Sequence, residues 1–299
     1  MLSAAMEWSL RTLLSIVYWR PMRYYRFRQV AFDTAPAGKL LITAQAGETF
    51  VVAPGDRVIG RSLFMHGEFD FDKLVEVLGL LDDGWTGELL IDVGANIGSI
   101  CIPAVRRGYF SRAIAVEPEP FNYSLLMANI HLNNLASRIS PLNVAFGSQD
   151  HQELEFELSP TNFGDHRARL RTDPAPGEET RRNAIAVRSE TFDSTIGEID
   201  PRKTLVWIDT QGFEGYVLSG AAKALSLRAP VVIEFWPHAM RRSDSYALVK
   251  NALLAAGYDR YRDLNSGSKW IPLTASSLDQ LHADLEKRGP YAYTDLLIR

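Results

Sequence analysis

Two carboxylates each end an apolar run, in an arrangement that suits a ligand carrying a ribose. Asp92 ends the run LLID at residues 89–92, and Glu117 ends the next run, RAIAVE, at residues 112–117. In an open α/β sheet, ligands bind beyond the carboxyl ends of the strands, and an acidic residue after the second strand accepts ribose hydroxyls. The pair predicts a nucleoside site, the alternative being two plain strand-to-helix turns.

The loop that follows Asp92 narrows the choice of nucleoside. Gly94 and Gly98 flank Asn96 there and allow the backbone to approach a ligand closely. A dinucleotide site requires the spacing G-x-G-x-x-G and places pyrophosphate on a helix N-terminus. This loop lacks that spacing, and Asp92 would repel phosphate but attract the sulfonium and ammonium groups of S-adenosylmethionine (SAM). We therefore predict SAM as the cofactor, bound by Asp92, Gly94, Asn96, Gly98 and Glu117.

Two further residues are candidates for cofactor binding. Glu68 precedes a predicted helix over residues 71–81 and is expected to hold the SAM ammonium, the alternative being a charge that stabilises the helix N-terminus. The predicted third strand, within residues 139–147, is expected to end near Asn143, Val144 and Ala145 and to pass beside the adenine, with Asn143 as the candidate contact.

Three side chains near the ends of the later strands are candidates for a general base. The methyl group of SAM is already activated, so positioning and removal of the acceptor's proton remain for the protein. Asp209 follows VWI, Glu234 follows PVVI, and His238 closes EFWPH. The alternatives are a loop-capping carboxylate, a buried structural carboxyl group and a surface histidine. Asp209 and Glu234 are also ligand types that magnesium takes, but their spacing does not demand a metal, and we predict none.

The elements that carry these residues alternate between strand and helix from residue 88 onward. Buried strands are predicted within residues 88–93, 112–118, 139–147, 204–210 and 230–236. This order predicts an α/β fold, a mostly parallel Rossmann-like sheet flanked by helices. Two segments, 153–158 and 184–192, alternate instead like half-exposed strands.

The chain is predicted to have an extension over residues 1–60 and a main domain over 61–299. The extension contains a predicted hairpin over 39–54 that turns at Ala46–Gly47. Residues 159–182 form an inserted polar loop, expected to be either a substrate lid or a solvated charged loop. The insertion carries basic side chains that favour an anionic acceptor, namely His166, Arg167, Arg169 and Arg171.

Composition limits the classes of partner. The net charge is −4, which gives no global attraction for nucleic acid, and one cysteine in 299 residues fits a reducing cytoplasm. Glu7 and Arg11 interrupt the apolar N-terminus, so no transmembrane segment is predicted. The N-terminal amphipathic helix is expected to pack on the domain or to touch a membrane surface or a partner weakly. The oligomeric state stays open, with a homodimer as one alternative.

Three motifs together resemble the FkbM family of class I SAM-dependent methyltransferases. They read D-V-G-A-N-I-G, V-E-P-E-P and W-I-D-T-Q-G-F-E-G-Y-V-L-S-G-A, and the resemblance covers roughly residues 60–240. Gln211 stands where the family usually has glutamate, whereas Asp209, Gly212, Phe213 and Glu214 match. The resemblance implies a class I methyltransferase fold with a seven-stranded sheet, and O-methylation of a sugar, glycan or natural-product hydroxyl.

Two other functions stay open at this point. One is an NAD- or nucleotide-sugar-dependent oxidoreductase on a similar sheet, which the glycine spacing disfavours. The other is a SAM-binding module without catalysis, which the glutamine at position 211 keeps open.

Overall fold

The computed structural model describes residues 21–36, 38–81, 84–170, 182–266 and 269–299. The amphipathic helix expected within residues 1–20 therefore lies outside the described residues. The first described elements are α1 (Pro21–Asp33), β1 (Leu41–Ala44), β2 (Thr49–Val52), α2 (Ile59–His66) and α3 (Phe71–Leu80). Strands β1 and β2 pair antiparallel, which confirms the predicted hairpin. The predicted domain boundary at residue 60 falls within α2.

In the part of the chain that the structure describes, the central sheet has eight strands, one more than predicted. They are β3 (Leu89–Val93), β4 (Arg112–Val116), β5 (Ile139–Leu142), β10 (Thr204–Ile208), β11 (Val231–Phe235), β12 (Arg260–Asp263), β13 (Ile271–Pro272) and β14 (Thr294–Ile298). Their spatial order is β13-β12-β14-β11-β10-β3-β4-β5. Strand β14 runs antiparallel to both its neighbours, whereas β5, β4, β3, β10 and β11 are parallel. The additional strand, β13, is a two-residue edge.

Helices on both faces explain why the central strands read as continuous apolar runs. Successive residues of a strand point to opposite faces. Leu90 and Trp207 therefore join one core, whereas Ile91 and Val206 join the other. The flanking helices are α4 (Cys101–Arg106), α5 (Pro120–Leu132), α6 (Phe192–Thr195), α7 (Glu214–Ser219), α8 (Ala222–Ser226), α9 (Pro237–Ser243), α10 (Tyr246–Ala255) and α11 (Ala275–Arg288).

A second sheet corrects the prediction of one strand over residues 139–147. The chain leaves the central sheet after Leu142, because the Asn143 side chain donates to the carbonyl oxygens of Glu117 and Pro118 and ties the chain to the end of β4. Strand β6 (Ala145–Gly147) then joins β9 (Asn183–Thr191), β7 (Gln152–Leu158) and β8 (Arg167–Arg169), in the order β6-β9-β7-β8. The two predicted half-exposed strands are confirmed as β7 and β9, which pair antiparallel.

A search of the described residues finds no helix that is both long and apolar enough to cross a membrane.

Candidate active site

A cleft opens where the chain order reverses in the central sheet. From β3 the chain continues outward to β4 and β5, while the later strands β10 and β11 lie on the other side of β3. Ligands of open α/β sheets bind at such a switch point, beyond the carboxyl ends of the strands. The cleft encloses about 630 Å³, including its open mouth. Polar residues from both sides of the switch point line it, among them Asn96, Glu117, Asp209, Thr210 and Gln211.

Gly94 is required by the close approach of the neighbouring strand end. Its φ of +90° lies in the region that favours glycine, and a Cβ there would come within 1.9 Å of the Asp209 carbonyl oxygen. The Asp209 amide in turn donates to Val93 O at 2.9 Å. The glycine predicted to make room for a ligand thus first makes room for protein backbone, although Gly94 also lines the cleft. Gly98 has a φ of +92° and packs against the side chains of Ile102 and Leu126.

Glu117 lies in the cleft as predicted and is almost fully buried. Its two carboxylate oxygens each accept a backbone hydrogen bond, from Asn96 N at 2.9 Å and from Glu119 N at 2.9 Å. Burial is the main cause that raises the pKa of Glu117 to about 8. A carboxylate has further lone pairs, so it can still accept hydroxyl groups of a ligand.

Asp92 lies behind the cleft wall. Its carboxylate is 2% exposed and accepts a hydrogen bond from Cys101 N, in the first turn of α4, at 3.2 Å. Burial raises the pKa of Asp92 to about 7. Asp92 is not one of the described residues that line the cleft. The side chain therefore holds α4 against β3, and direct binding of the SAM ammonium by Asp92 stays a prediction.

Asp209 and Glu234 form a bridged pair of acidic side chains at the ends of β10 and β11. Gln211 Nε2 donates to Asp209 Oδ1 at 2.7 Å and to Glu234 Oε2 at 3.1 Å. Asp209 is partly exposed and lines the cleft, whereas Glu234 is 9% exposed. Burial is the main cause that raises the pKa of both groups, that of Asp209 to about 7. The glutamine that departs from the family pattern thus joins the two candidate bases.

The loop after β10 is held in its conformation by buried hydrogen bonds. Gln211 and Gly212 both have positive φ values, 57° and 100°. Glu214 Oε1 accepts from Thr210 N at 2.9 Å and from Gly212 N at 3.2 Å, and Ser243 Oγ donates to Gly212 O at 2.5 Å. A residue keeps such a backbone conformation only where the surrounding contacts hold it in place. Sequence reasoning did not assign Glu214 a role, although its match to the family block was the available signal.

Besides Asp92, five predicted site residues do not line the cleft in the described part of the chain: Gly98 and Glu234, described above, and Asn143, Glu68 and His238. Asn143 is exposed and ties the end of β5 to the end of β4. Glu68 is about half-exposed and forms an ion pair with Arg107 at 3.5 Å. His238 lies in the first turn of α9, where its Nδ1 is 3.1 Å from Arg241 Nη2. Their proposed roles in binding and catalysis stay predictions.

The described part of the insertion forms one wall of the cleft. Phe163, Gly164, His166 and Ala168 line it together with Phe156 of β7. Arg167 and Arg169 both pair with Glu157 across the β7–β8 ladder, and the expected anionic acceptor stays a prediction. Arg171 lies outside the described residues.

The donor set of the cleft fits SAM. Glu117 and Asp209 suit ribose hydroxyls and cationic groups, and the apolar side chains of Val116, Val144 and Phe156 suit a purine base. Among the described residues, no group of three or more His, Cys, Asp or Glu side chains is arranged to hold a metal ion.

Glu117 should make the stability of the cofactor-free protein depend on pH. Its pKa lies above the ordinary value of 4.5, so the folded chain keeps a proton that the unfolded chain releases. This contribution is complete below the unfolded pKa and is lost as the pH rises toward about 8. Between pH 5 and 8, the free energy of unfolding should fall by on the order of 2 kcal/mol more in the wild type than in Glu117→Gln. Denaturant titrations of both proteins measure this, and equal pH slopes would contradict it.

A family model described as "Methyltransferase FkbM domain" matches residues 92–259, more than half of the chain. Among curated proteins, the tRNA(Phe) (4-demethylwyosine(37)-C(7)) aminocarboxypropyltransferase of Pyrococcus horikoshii is 37% identical over 57 residues, which cover 19% of this chain and 20% of that protein.

Two solved structures are similar to this chain at low sequence identity. A methyltransferase FkbM from Methylobacillus flagellatus KT is 18% identical with a TM-score of 0.45, and the match covers 82% of this chain and 55% of that chain. M. jannaschii TYW2, solved in complex with AdoMet, is 12% identical with a TM-score of 0.40, covering 89% and 87%. This chain thus spans about half the length of the first structure and a fifth of the curated relative.

Proposed function

Because this chain belongs to the FkbM methyltransferase family, whose cofactor is SAM, we propose that it methylates a hydroxyl of a glycan or natural-product acceptor. The observation that carries the hydroxyl assignment is the carboxylate of Asp209, which lines the cleft and is held at one oxygen by Gln211. A hydroxyl is a poor nucleophile until its proton is removed, so this chemistry requires such a base.

The proposed mechanism uses few residues. Bound SAM supplies an activated methyl group, and Glu117 would hold its ribose. Asp209 would take the proton of the acceptor hydroxyl at Oδ2, because Oδ1 already accepts from Gln211. Glu234 would accept a hydrogen bond from the second N–H of the same amide and so fix the orientation of the Gln211 side chain. The single cysteine supports a reducing cytoplasm as the place of action.

A tRNA acceptor is the second candidate, favoured by the 57-residue likeness to the Pyrococcus horikoshii tRNA enzyme. The net charge of −4 opposes it, since phosphate contacts dominate nucleic-acid affinity. The pairing of Arg167 and Arg169 with Glu157 also opposes it, because both guanidinium groups are already held in ion pairs within the β7–β8 ladder.

Calorimetric titration with SAM and with its demethylated product, S-adenosylhomocysteine, tests the cofactor site first. Glu117→Ala should weaken both ligands roughly 100-fold or more, and equally, because Glu117 is expected to bind the ribose that they share. Glu153→Gln is the matched control and should bind like the wild type, because Glu153 is an exposed residue of β7 that does not line the cleft. Undiminished binding by Glu117→Ala would contradict this arrangement.

Methyl-labelled SAM then tests the acceptor. The wild type should transfer label to members of a panel of hydroxylated glycans and natural products, in a form that resists mild base as a methyl ether does. Transfer to tRNA, or to an acceptor nitrogen, would contradict the proposal. Binding of SAM without transfer to any acceptor of the panel would favour a module without catalysis.

A further inference from the structure

The segment from Phe156 to Ala168, here named the hairpin wall, faces the strand ends across the cleft. Its side chains Phe156, Phe163, His166 and Ala168 line the cleft together with Val116, Pro118 and Val144. This part of the lining is largely apolar, and Glu117 follows Val116 at the end of β4. An apolar slot beside a ribose-binding carboxylate has the chemistry that a purine base requires.

Phe163 is fixed to the main domain through its backbone. Its carbonyl oxygen accepts from Asn96 Nδ2 at 2.9 Å and from Asn122 Nδ2 at 3.0 Å. Its amide donates to Asp56 Oδ1 at 3.3 Å, and its ring rests 3.1 Å from where a Cβ on Gly55 would lie. Because Asn96 also donates its amide to Glu117, one residue connects the hairpin wall with the expected ribose site.

His166 has a defined tautomer. The Ser159 amide donates to His166 Nδ1 at 2.9 Å, so this nitrogen carries no proton and the ring proton of the neutral form is on Nε2. Burial, the largest cause, lowers the pKa of His166 to about 4, which keeps the ring neutral at physiological pH. The ring stacks on Phe163, with 5.5 Å between centroids and 29° between planes. The hairpin wall therefore offers an aromatic surface and one N–H donor.

We propose that the hairpin wall binds the purine base of SAM, with His166 Nε2–H donating to a ring nitrogen of the base. This rests on SAM as the cofactor, but not on the choice of acceptor. It assigns to the insertion a role in holding the cofactor, where the sequence suggested recognition of an anionic acceptor. A purine has apolar faces and ring nitrogens that accept hydrogen bonds. Arg167 and Arg169, which would attract an anion, are balanced by ion pairs with Glu157 and Glu155.

Titration with S-adenosylhomocysteine and its 1-deaza, 3-deaza and 7-deaza analogues tests the proposal without an acceptor. Phe163→Ala should weaken S-adenosylhomocysteine roughly 5- to 100-fold, the range seen when an aromatic platform under a base is removed. His166→Phe retains the ring but loses the donor, and should weaken the ligand roughly 3- to 10-fold. The wild type should bind one of the three analogues more weakly than it binds S-adenosylhomocysteine, because that analogue lacks the nitrogen that accepts from His166. His166→Phe lacks the donor, so it should bind that analogue and S-adenosylhomocysteine with equal affinity.

Glu153→Gln is the matched control, since Glu153 is an exposed residue of β7 that does not line the cleft. It should bind every ligand like the wild type. Unchanged affinity for S-adenosylhomocysteine in both Phe163→Ala and His166→Phe would overturn the proposal. It would also be overturned if every deaza analogue lost the same affinity, relative to S-adenosylhomocysteine, in the wild type and in His166→Phe. If the folded wild type and the folded Glu153→Gln bound no S-adenosylhomocysteine, the assignment of SAM as the cofactor would be wrong. This result differs from one in which S-adenosylhomocysteine binds but the hairpin wall has no effect on its affinity.

Discussion

Asp209→Asn is expected to lower the rate of methyl transfer roughly 10²- to 10⁴-fold, the range attributed to a positioned general base. Asparagine has nearly the same shape, and its carbonyl oxygen can still accept from Gln211 Nε2. The affinity for SAM should therefore change little, and the loss should be in kcat. Steady-state kinetics with the identified acceptor measure this. A fall in SAM affinity with unchanged kcat would instead make Asp209 a cofactor-binding residue.

The pH profile separates a base from a merely structural carboxylate. Asp209 can take a proton only when ionised, and burial raises its pKa to about 7. The rate should rise with pH and level off above about 7. Gln211→Glu would add a negative charge beside Asp209 and Glu234, raise the pKa of Asp209 further and move the profile to higher pH. A profile that neither Asp209→Asn nor Gln211→Glu alters would leave Glu234 or His238 as the base.

Gly94→Ala is expected to destabilise the fold by roughly 3–5 kcal/mol, a large effect that is typical of backbone strain at positive φ and of steric overlap in a packed region. Two effects add. The φ of +90° is unfavourable for alanine, and the new Cβ would lie 1.9 Å from Asp209 O, a backbone atom that cannot rotate away. The ends of β3 and β10 would have to separate, so binding of SAM should be lost as well. Denaturant unfolding and titration with SAM measure the two effects.

Gly79→Ala is the matched control for this substitution. Gly79 lies in α3, its added Cβ would meet nothing within 4 Å, and its φ is not in the positive range. Replacement of a helical glycine by alanine should stabilise the protein by about 0.5–1 kcal/mol. Equal effects of the two substitutions would show that the contact between Gly94 and Asp209 does not constrain the site.

The sequence predicted those parts of the site that depend on local pattern. Apolar runs that end in Glu117 and Asp209 define buried strand ends, and the carboxyl ends of parallel strands meet at one edge. Both side chains line the cleft. The same reasoning placed Asp92 there, but alternation along a short strand does not tell which way its last residues face, and this carboxylate binds the amide of Cys101.

The position of the insertion at the cleft could not be predicted, because it depends on contacts between distant segments. One signal was available. Glu155 and Glu157 alternate in one strand as Arg167 and Arg169 do in the other, a pattern typical of ion pairs across a ladder. The register pairs Glu157 with Arg167 and Glu155 with Arg169. That alternation indicates a folded hairpin with paired charges rather than a loop whose arginines bind an anion. It does not indicate which cavity the hairpin covers, since the amides of Asn96 and Asn122 decide that.

The contact of Asp56 with the amide of Phe163 joins positions 107 residues apart in the chain. Contacts of such long range form late, because closing a long loop costs entropy before the contact is made. The wall of the cleft is therefore held by a contact that costs loop-closure entropy, as the pairing of β3 with β10 also does, where Asp92 lies opposite Trp207. It also depends on residues before position 60, so a shortened chain that begins at α3 would keep Glu117 and Asp209 but lose a support of the surface that faces them.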